Sequence, residues 1–457
     1  MEYYPVVILA VGVAVVIGMI MLLRVNAFFA LITAAILVSL MSPGVASSKL
    51  ARVAEAFGQS AGGIGIVIAL AAVIGKCLMD SGAADRIVRS FTKALGEERA
   101  PFALMGSGFV LSIPVFFDTV FYLLVPLARS MWRSKRKNYV LYTTAIVAGG
   151  AVTHSMVPPT PGPLAIADNL HVDLGVMIVA GVMVGIPMSL VGLAACWILN
   201  HRFPIEMRPY ATEIEARDFT DEELPPLSVS LLPVVLPVIL IATNTITSAV
   251  ADKTSAGWQM LLAVTQNLGN PNLALLFSAA IAIGIVIKYR RSTLEEMSTT
   301  VEQALMSGGV VILITAAGGA FGKMLAAAGI DNTIKSALGE AGSVAGITVL
   351  LTAFAVASLV KFAQGSGTVA MITTSSMFGA MAFTQETLGF HIVYLATAIG
   401  SGSLVGDWMN NSGFWVFSKM SVLTTNETLK TWSILTAVLG ITGLVVTLLA
   451  ATVLPMV

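Results

Sequence analysis

Four ionisable residues lie at breaks within apolar stretches, where a charge is costly and marks a candidate functional site. They are Asp118, His154, Lys361 and Asp407. A buried lysine can pair with a carboxylate, and an aspartate or a histidine can exchange a proton. We therefore expect a site that binds an anion and a proton. A structural ion pair of Lys361 with either aspartate, and a structural hydrogen bond of His154, remain as alternatives.

Each of these residues lies in a stretch that interrupts a helix. The stretches are residues 113–118, 153–163, 361–367 and 407–413, and they are rich in proline, glycine and polar residues. Irregular backbone at membrane depth is tolerated only where protein or a water-filled cavity satisfies it. We therefore expect the four breaks to converge, with half-helices that begin near Pro163 and Thr368 offering positive N-termini to a carboxylate.

Polar side chains in the breaks supply the donors and acceptors that hydroxyl groups need. The candidate substrate-binding residues are Asp118, Thr153, His154, Lys361, Gln364, Ser366, Thr368, Asp407, Asn410, Asn411 and Ser412. This set fits a small anionic hydroxy acid or polyhydroxylated acid better than an apolar molecule. No cofactor or metal is expected, because Cys77 and Cys196 lack ligand spacing. The alternative hypothesis from a different functional class is an intramembrane enzyme. Because no activated serine or cysteine supports it, we predict a transporter.

The two aspartates are predicted to differ in their roles. Asp118 is ranked first as the proton carrier, because its apolar and aromatic neighbours disfavour a charged carboxylate. Asp407 is the second candidate, and the polar residues that follow it favour a ligand of the substrate or of a cation. A Na⁺-coupled carboxylate or amino acid symporter, with Asp407, Asn410, Ser412 and freed carbonyls as oxygen ligands, is the alternative.

Composition places these residues in a membrane protein. The chain has 457 residues, of which 56% are hydrophobic and 11% charged, and its net charge is zero. The mean hydropathy of +0.89 and the scarcity of charge exclude disorder and a nucleic-acid-binding surface. Segments of about 20 apolar residues predict ten bilayer crossings that begin near Pro5, Phe28, Ile64, Tyr139, Leu174, Leu231, Leu273, Val310, Ile392 and Thr431.

Two further apolar stretches, residues 101–128 and 344–380, contain breaks and are predicted to be re-entrant hairpins. With this assignment, eighteen lysines and arginines fall on one side of the membrane and four on the other. Positive loops mark the cytoplasmic side. We therefore expect both termini to lie outside the cytoplasm, and we place the protein in the bacterial inner membrane.

The two halves of the chain resemble each other. Gly75-Lys76 followed by Gly82 matches Gly322-Lys323 followed by Gly329, at a constant offset of 247 residues. The predicted domains are a first membrane repeat (1–200), a cytoplasmic linker (201–228) and a second repeat (229–457). Because each half has an odd number of crossings, the second is inverted. The predicted fold is an all-α polytopic membrane protein with two inverted repeats, each with five crossings, one re-entrant hairpin and one broken helix.

Several pieces of the sequence resemble the gluconate permease family of the ion transporter superfamily. The matching pieces are Gly75-Lys76 to Gly82, Glu98-Arg99-Ala100-Pro101, Pro114-Val115-Phe116-Phe117-Asp118, Thr153-His154 with Pro158-Pro159-Thr160-Pro161-Gly162-Pro163 and Ala165-Ile166-Ala167, Gly365-Ser366-Gly367-Thr368-Val369-Ala370, Ser412-Gly413-Phe414-Trp415, and Glu427-Thr428-Leu429-Lys430-Thr431-Trp432. They are spread over nearly the whole chain, and the Thr-His to Pro-Pro-x-Pro-Gly-Pro run is specific.

The resemblance implies proton-coupled uptake of gluconate-like sugar acids, with some members taking related hydroxy acids or D-serine. It also implies a homodimer in which a scaffold holds a mobile substrate-carrying domain, as in an elevator-type mechanism. The family usually has Glu at Asp118, Arg at Lys361, and Ser-His-Val-Asn-Asp where residues 406–411 stand here. Because lysine offers a point charge in place of a bidentate fork, gluconate is only one candidate substrate.

Overall fold

The structure is a computed structural model that describes residues 4–21, 23, 25–96, 99–209, 220–250, 256–329, 342–409 and 411–456. Within these residues all regular structure is helical, and 7 helices are long and apolar enough to cross a membrane. Shorter apolar helices accompany them, such as Ala100–Leu111 and Val393–Gly402. The predicted all-α membrane class is confirmed.

The helices follow the predicted apolar segments along the chain. In the first half they are α1 (Tyr4–Met21), α2 (Ala27–Met41), α3 (Ala51–Ser81), α4 (Ala83–Leu95), α5 (Ala100–Leu111), α6 (Phe117–Lys135), α7 (Tyr139–Met156), α8 (Pro161–Asn169) and α9 (Leu174–Arg202). In the second half they are α10 (Leu227–Val250), α11 (Ala256–Leu268), α12 (Pro271–Arg290), α13 (Leu294–Ala327), α14 (Gly342–Gln364), α15 (Gly367–Gly379), α16 (Gln385–Leu388), α17 (Val393–Gly402), α18 (Ser412–Met420), α19 (Thr425–Thr428) and α20 (Ile434–Val453).

The long helices α3 and α13 pack against each other, with α12 against α3 and α2 against α13. Small residues permit this close approach. A Cβ atom added at Gly319 of α13 would lie 2.2 Å from Ser60 Oγ of α3, and one at Gly308 would lie 3.3 Å from the Cβ atom of Ala72. The α3–α13 pair is therefore a tightly packed element next to the hairpins.

Helix contacts in the first half have counterparts in the second. Helix α5 packs on α7 and α7 on α9, while α14 packs on α17 and α17 on α20. Glycines open both contacts: a Cβ at Gly149 of α7 would lie 1.9 Å from Met105 O, and one at Gly402 of α17 would lie 2.4 Å from Phe354 O. The halves also exchange partners, since α6 packs against α18 and α8 against α15.

The helix interruptions lie close to their predicted positions but are shifted. Helices α5 and α6 are joined by residues 112–116, α14 and α15 by residues 365–366, α7 and α8 by residues 157–160, and α17 and α18 by residues 403–411. Helix α8 begins at Pro161 instead of near Pro163, because proline is well suited to the first helical position. The interruption between α17 and α18 begins several residues before Asp407, where the sequence predicted its start.

The matching Gly-Lys pieces mark the ends of α3 and α13. Gly82 (φ 75°) caps α3 and Gly329 (φ 83°) follows the end of α13, so both adopt the left-handed conformation that favours glycine. Lys76 pairs with Asp80 at 2.9 Å, and Lys323 Nζ donates to Gln59 Oε1 at 3.0 Å. Both matching pieces therefore lead into a left-handed glycine at the end of a helix, whereas the two lysines have different partners.

Candidate functional site

A cavity of about 420 Å³ lies where the α5–α6 and α14–α15 connections, called here the first and second hairpin tips, meet the end of α7 and the break between α17 and α18. Most of the sequence-predicted site residues line it. They are Asp118, His154, Lys361, Ser366, Thr368, Asp407, Asn411 and Ser412. The structure thus brings together residues that lie almost 300 positions apart in the sequence.

Of the other three predicted residues, the structure describes the side chain of Thr153 alone, and it does not line the cavity. Thr153 is fully buried, and its hydroxyl has no hydrogen-bond partner among the described residues. Asn410 and the side chain of Gln364 lie outside the described part of the chain. Since neighbouring residues on a helix point about 100° apart, His154 faces the cavity while the adjacent Thr153 does not.

Three helix N-termini contribute to the cavity wall. Helices α6, α15 and α18 begin at Phe117, Gly367 and Ser412, and all three residues line the cavity. Free backbone N–H groups and the positive end of the helix dipole make such termini favourable for anions. The sequence indicated the N-terminus near Thr368 but not those of α6 and α18. The α8 terminus at Pro161, which it also indicated, is not part of the wall.

Two of these N-termini are capped by side chains. Ser366 Oγ accepts a hydrogen bond from Val369 N at 3.3 Å, and Asn411 Oδ1 accepts one from Gly413 N at 3.2 Å. The cap position of α6 is Phe116, whose side chain makes no capping hydrogen bond. The first hairpin therefore presents its backbone donors without a side-chain cap.

Lys361 and Asp407 form a buried ion pair across the cavity wall. The distance from Lys361 Nζ to Asp407 Oδ2 is 2.9 Å, and the two side chains are only 3% and 4% exposed. Lys361 Nζ also donates to Gly365 O at 2.6 Å. Asn411 Nδ2 donates to both carboxylate oxygens of Asp407 at 2.8 Å. Both charges are therefore compensated, as a buried ion pair requires.

Aromatic contacts tie the second hairpin to the same break. The Trp408 ring stacks on Phe362 with centroids 5.4 Å apart and an interplanar angle of 14°. Trp408 Nε1 donates to Phe362 O at 2.9 Å. Gly406 has a φ of 82°, and a Cβ atom there would lie 2.9 Å from the Phe362 Cβ. The chain packs closely here because Gly406 has no side chain and because Trp408 stacks on Phe362, the residue after Lys361.

Asp118 is bound much more loosely in the first turn of α6. Its Oδ2 accepts a hydrogen bond from Ser412 Oγ at 3.2 Å, and the ion pairs found between described residues do not include Asp118. Ser412 is exposed and Asp118 is half-buried. Asp118 is therefore a cavity carboxylate without a salt-bridge partner in the described structure.

His154 projects from the last turn of α7 into the cavity wall. Its Nδ1 atom is buried without a hydrogen-bond partner among the described residues, and its ring lies 6.1 Å from that of Phe116. A neutral imidazole with the proton on Nε2 leaves only an acceptor unpaired at Nδ1, and unpaired acceptors are better tolerated than unpaired donors. The structural hydrogen bond that was the alternative for His154 is not found at Nδ1.

Sequence reasoning missed Trp432, which also lines the cavity. It lies in a π-helical segment, Leu429–Ser433, and its ring packs against Phe117 at 5.3 Å and Phe417 at 5.4 Å. Such π-helical turns often occur at functional sites. The piece of sequence that ends at Trp432 carried the family resemblance, and this was the signal that pointed to it.

Comparisons with known proteins identify the family of this chain. The model of the GntP family permeases matches residues 4–453. The high-affinity gluconate transporter of Escherichia coli K12 is 30% identical over 443 residues, which are 96% of this chain and 98% of that protein. The gluconate permease of Pseudomonas aeruginosa is 32% identical over 445 residues, 96% of each chain. The Gnt-II system L-idonate transporter of Escherichia coli K12 is 30% identical over 440 residues, 96% and 97% of the two chains.

Solved structures show the same fold at low sequence identity. MtrF of Neisseria gonorrhoeae has a TM-score of 0.66 at 14% identity and covers 94% of this chain and 95% of its own. The YdaH transporter of Alcanivorax borkumensis has a TM-score of 0.65 at 13% identity, with coverage of 94% and 98%. These likenesses concern the fold alone.

Proposed function

We propose that this chain, which belongs to the GntP permease family, takes up gluconate or a related small hydroxylated carboxylate together with a proton. Relatives along nearly its whole length are gluconate and L-idonate transporters. The observation that carries the proposal is the cavity itself, where three helix N-termini meet a lysine and a carboxylate that has no salt-bridge partner among the described residues. The protein is a transporter in this account, and the substrate leaves chemically unchanged.

The cavity suits a small hydroxylated anion. Lys361 has three N–H donors, of which one goes to Asp407 and one to Gly365 O. The third donor and the nearby helix N-termini are available to a carboxylate. The hydroxyls of Thr368 and Ser412 also line the cavity and pair with substrate hydroxyls. A volume of about 420 Å³ is at the lower end of the range for small-molecule sites.

Charge supports coupling to a proton. Asp118, Asp407 and Lys361 together carry one net negative charge when all are ionised, and an anionic substrate in the same cavity adds a second. Repulsion between these charges is strong in a low-dielectric site. Because protonation of Asp118 removes it, proton binding and substrate binding favour each other, as reciprocal linkage requires. We assign Asp118 as the proton carrier and Asp407 as the partner that fixes Lys361.

We test this function in proteoliposomes prepared without Na⁺. Labelled gluconate should accumulate above its outside concentration when the outside is acidic, and a protonophore should abolish the accumulation. Unlabelled L-idonate should compete, whereas glucose, a neutral sugar of the same carbon number, should not. The proposal fails if neither gluconate, L-idonate nor a shorter hydroxy acid accumulates under the proton gradient.

Contacts between loops support the predicted topology. Arg86 donates to Pro225 O at 2.8 Å, Arg208 pairs with Glu427 at 2.6 Å, and Arg290 donates to Ser81 O at 2.8 Å. All these residues belong to loops or helix ends assigned to the cytoplasmic side, so the contacts join segments of one side. The assignment places both termini outside and residues 201–228 in the cytoplasm, between inverted repeats that comprise residues 1–200 and 229–457.

Cysteine labelling tests this topology directly. The two native cysteines are buried and are replaced first. A membrane-impermeant reagent applied from outside should label a cysteine at Glu386 and should not label one at Arg136. The reverse pattern would contradict the assignment of the two hairpins as re-entrant.

We also propose an elevator-type mechanism in a homodimer of the inner membrane. The pair α3–α13 serves as part of the scaffold, and the two hairpins with the broken helices carry the substrate. Glycines smooth the contact between these parts, since a Cβ at Gly75 of α3 would lie 3.1 Å from Pro114 O at the first hairpin tip. Such contacts slide with little obstruction when the substrate-carrying part moves.

A further inference from the structure

We infer that the Lys361 ammonium is a tethered cation that occupies a Na⁺-type site formed by Asp407 and the Gly365 carbonyl. Its presence makes transport independent of Na⁺. The inference deepens the proposed function, because it concerns the coupling ion at the same site.

The ligands of the ammonium are those expected for a small hard cation. Lys361 Nζ lies 2.9 Å from Asp407 Oδ2 and 2.6 Å from Gly365 O. Backbone carbonyls of interrupted helices coordinate Na⁺ in transporters with broken helices, and carboxylate oxygens are common ligands of hard cations. The Na⁺-coupled alternative made Asp407 a ligand of Na⁺. In the structure the Lys361 ammonium occupies the position beside Asp407 that a Na⁺ ion would take.

Burial favours a cation at this position. Since the Lys361 and Asp407 side chains are almost fully buried, removing either partner would leave an uncompensated charge. Among the described residues that line the cavity, Lys361 is the one lysine or arginine. The ammonium of Lys361 on α14 therefore compensates the Asp407 carboxylate in place of a cation from solution.

Local geometry fixes the ammonium at this point. Gly365 N donates to Lys361 O at 2.8 Å, so the two residues that share the ammonium are joined by a backbone hydrogen bond as well. The Asn411 amide holds both Asp407 oxygens. A lysine ammonium is a compact point charge, whereas a guanidinium is a flat fork, and the compact group is the closer substitute for a spherical ion.

The test compares the wild type with Lys361→Met, which keeps most of the aliphatic stem and removes the ammonium. The unfolding temperature of each purified protein is measured without substrate in NaCl, methylammonium chloride and choline chloride at equal ionic strength. Na⁺ or methylammonium should raise the unfolding temperature of Lys361→Met saturably, by about 2 °C or more, because a ligand of the folded state stabilises it. The wild type should not distinguish the three salts.

The matched control is Lys361→Met combined with Asp407→Asn, which has no buried carboxylate to compensate and should show no response to Na⁺. The inference is overturned if Lys361→Met behaves alike in Na⁺, methylammonium and choline, or fails to fold in all three. It is also overturned if the wild type is stabilised by Na⁺. Because no substrate is present, these outcomes are independent of whether sugar acids are transported.

Discussion

The two hairpin tips meet at one cavity, but their charged residues are held in opposite ways. At the second tip, Lys361 is buried, paired with Asp407 and bonded to Gly365 O. At the first tip, Asp118 is half-buried and holds one hydrogen bond, from the exposed Ser412. A charge that is fully compensated keeps its state during a transport cycle, whereas a carboxylate without a salt bridge can change its protonation. This difference is the basis on which we propose that the second tip binds the anion and the first carries the proton.

The largest effect is expected from breaking the buried pair. Asp407→Asn leaves Lys361 charged and without its partner, and such a change costs about 3 to 5 kcal/mol. The control is Asp80→Asn, which removes the partner of Lys76 from a pair whose side chains are 36% and 33% exposed. It should cost less than about 1 kcal/mol. Thermal or denaturant unfolding of the two purified variants measures the difference, and equal losses would contradict the distinction.

A smaller loss is expected where the chain passes closest to the second tip. Gly406→Ala places a side chain at a φ of 82° and against the Phe362 Cβ at 2.9 Å. The backbone conformation alone costs about 1 to 2 kcal/mol, and the contact adds to it. Gly96→Ala is the matched control, because Gly96 has a φ of 74° but no atom within 4 Å of the added Cβ. If the unfolding free energies of the two variants fall equally, the contact of the added Cβ with Phe362 adds nothing to the cost of the backbone conformation.

The smallest effect is expected from trimming the aromatic contact. Trp408→Phe keeps a ring that can stack on Phe362 but loses the hydrogen bond to Phe362 O, which costs about 1 kcal/mol. Trp408→Leu loses the stacked pair as well and should cost about 0.5 to 1.5 kcal/mol more. Affinity for gluconate should fall in the same order, since the contact holds Lys361 in place. An unchanged affinity in Trp408→Leu would separate this contact from the site.

The sequence predicted those parts of the site in which ionisable residues interrupt apolar segments. Asp118, Lys361 and Asp407 were identifiable because each is expensive in an apolar segment, and proline and glycine located the breaks beside them. The sequence did not determine which aspartate pairs with Lys361. That choice depends on the three-dimensional contact of α14 with the 403–411 break, which residue types alone do not encode.

Other features depend on geometry that one sequence does not reveal. Thr153 and His154 are neighbours with similar polarity, but the rotation of α7 sends only His154 to the cavity. Trp432 reaches the cavity from a π-helical segment, and the residues of that segment look like the start of an ordinary apolar helix. The exchange of partners between halves, with α6 on α18 and α8 on α15, accompanies the placement of the α6, α15 and α18 N-termini at the cavity.

The most direct test of the account is the transport behaviour of Asp118→Asn in proteoliposomes. Asparagine is close in shape to protonated aspartate and cannot release a proton. The variant should therefore still exchange labelled gluconate for unlabelled gluconate across the membrane, but a pH gradient should no longer drive accumulation above equilibrium. If Asp118→Asn still concentrates gluconate under a pH gradient, the assignment of the proton to the first hairpin tip is wrong.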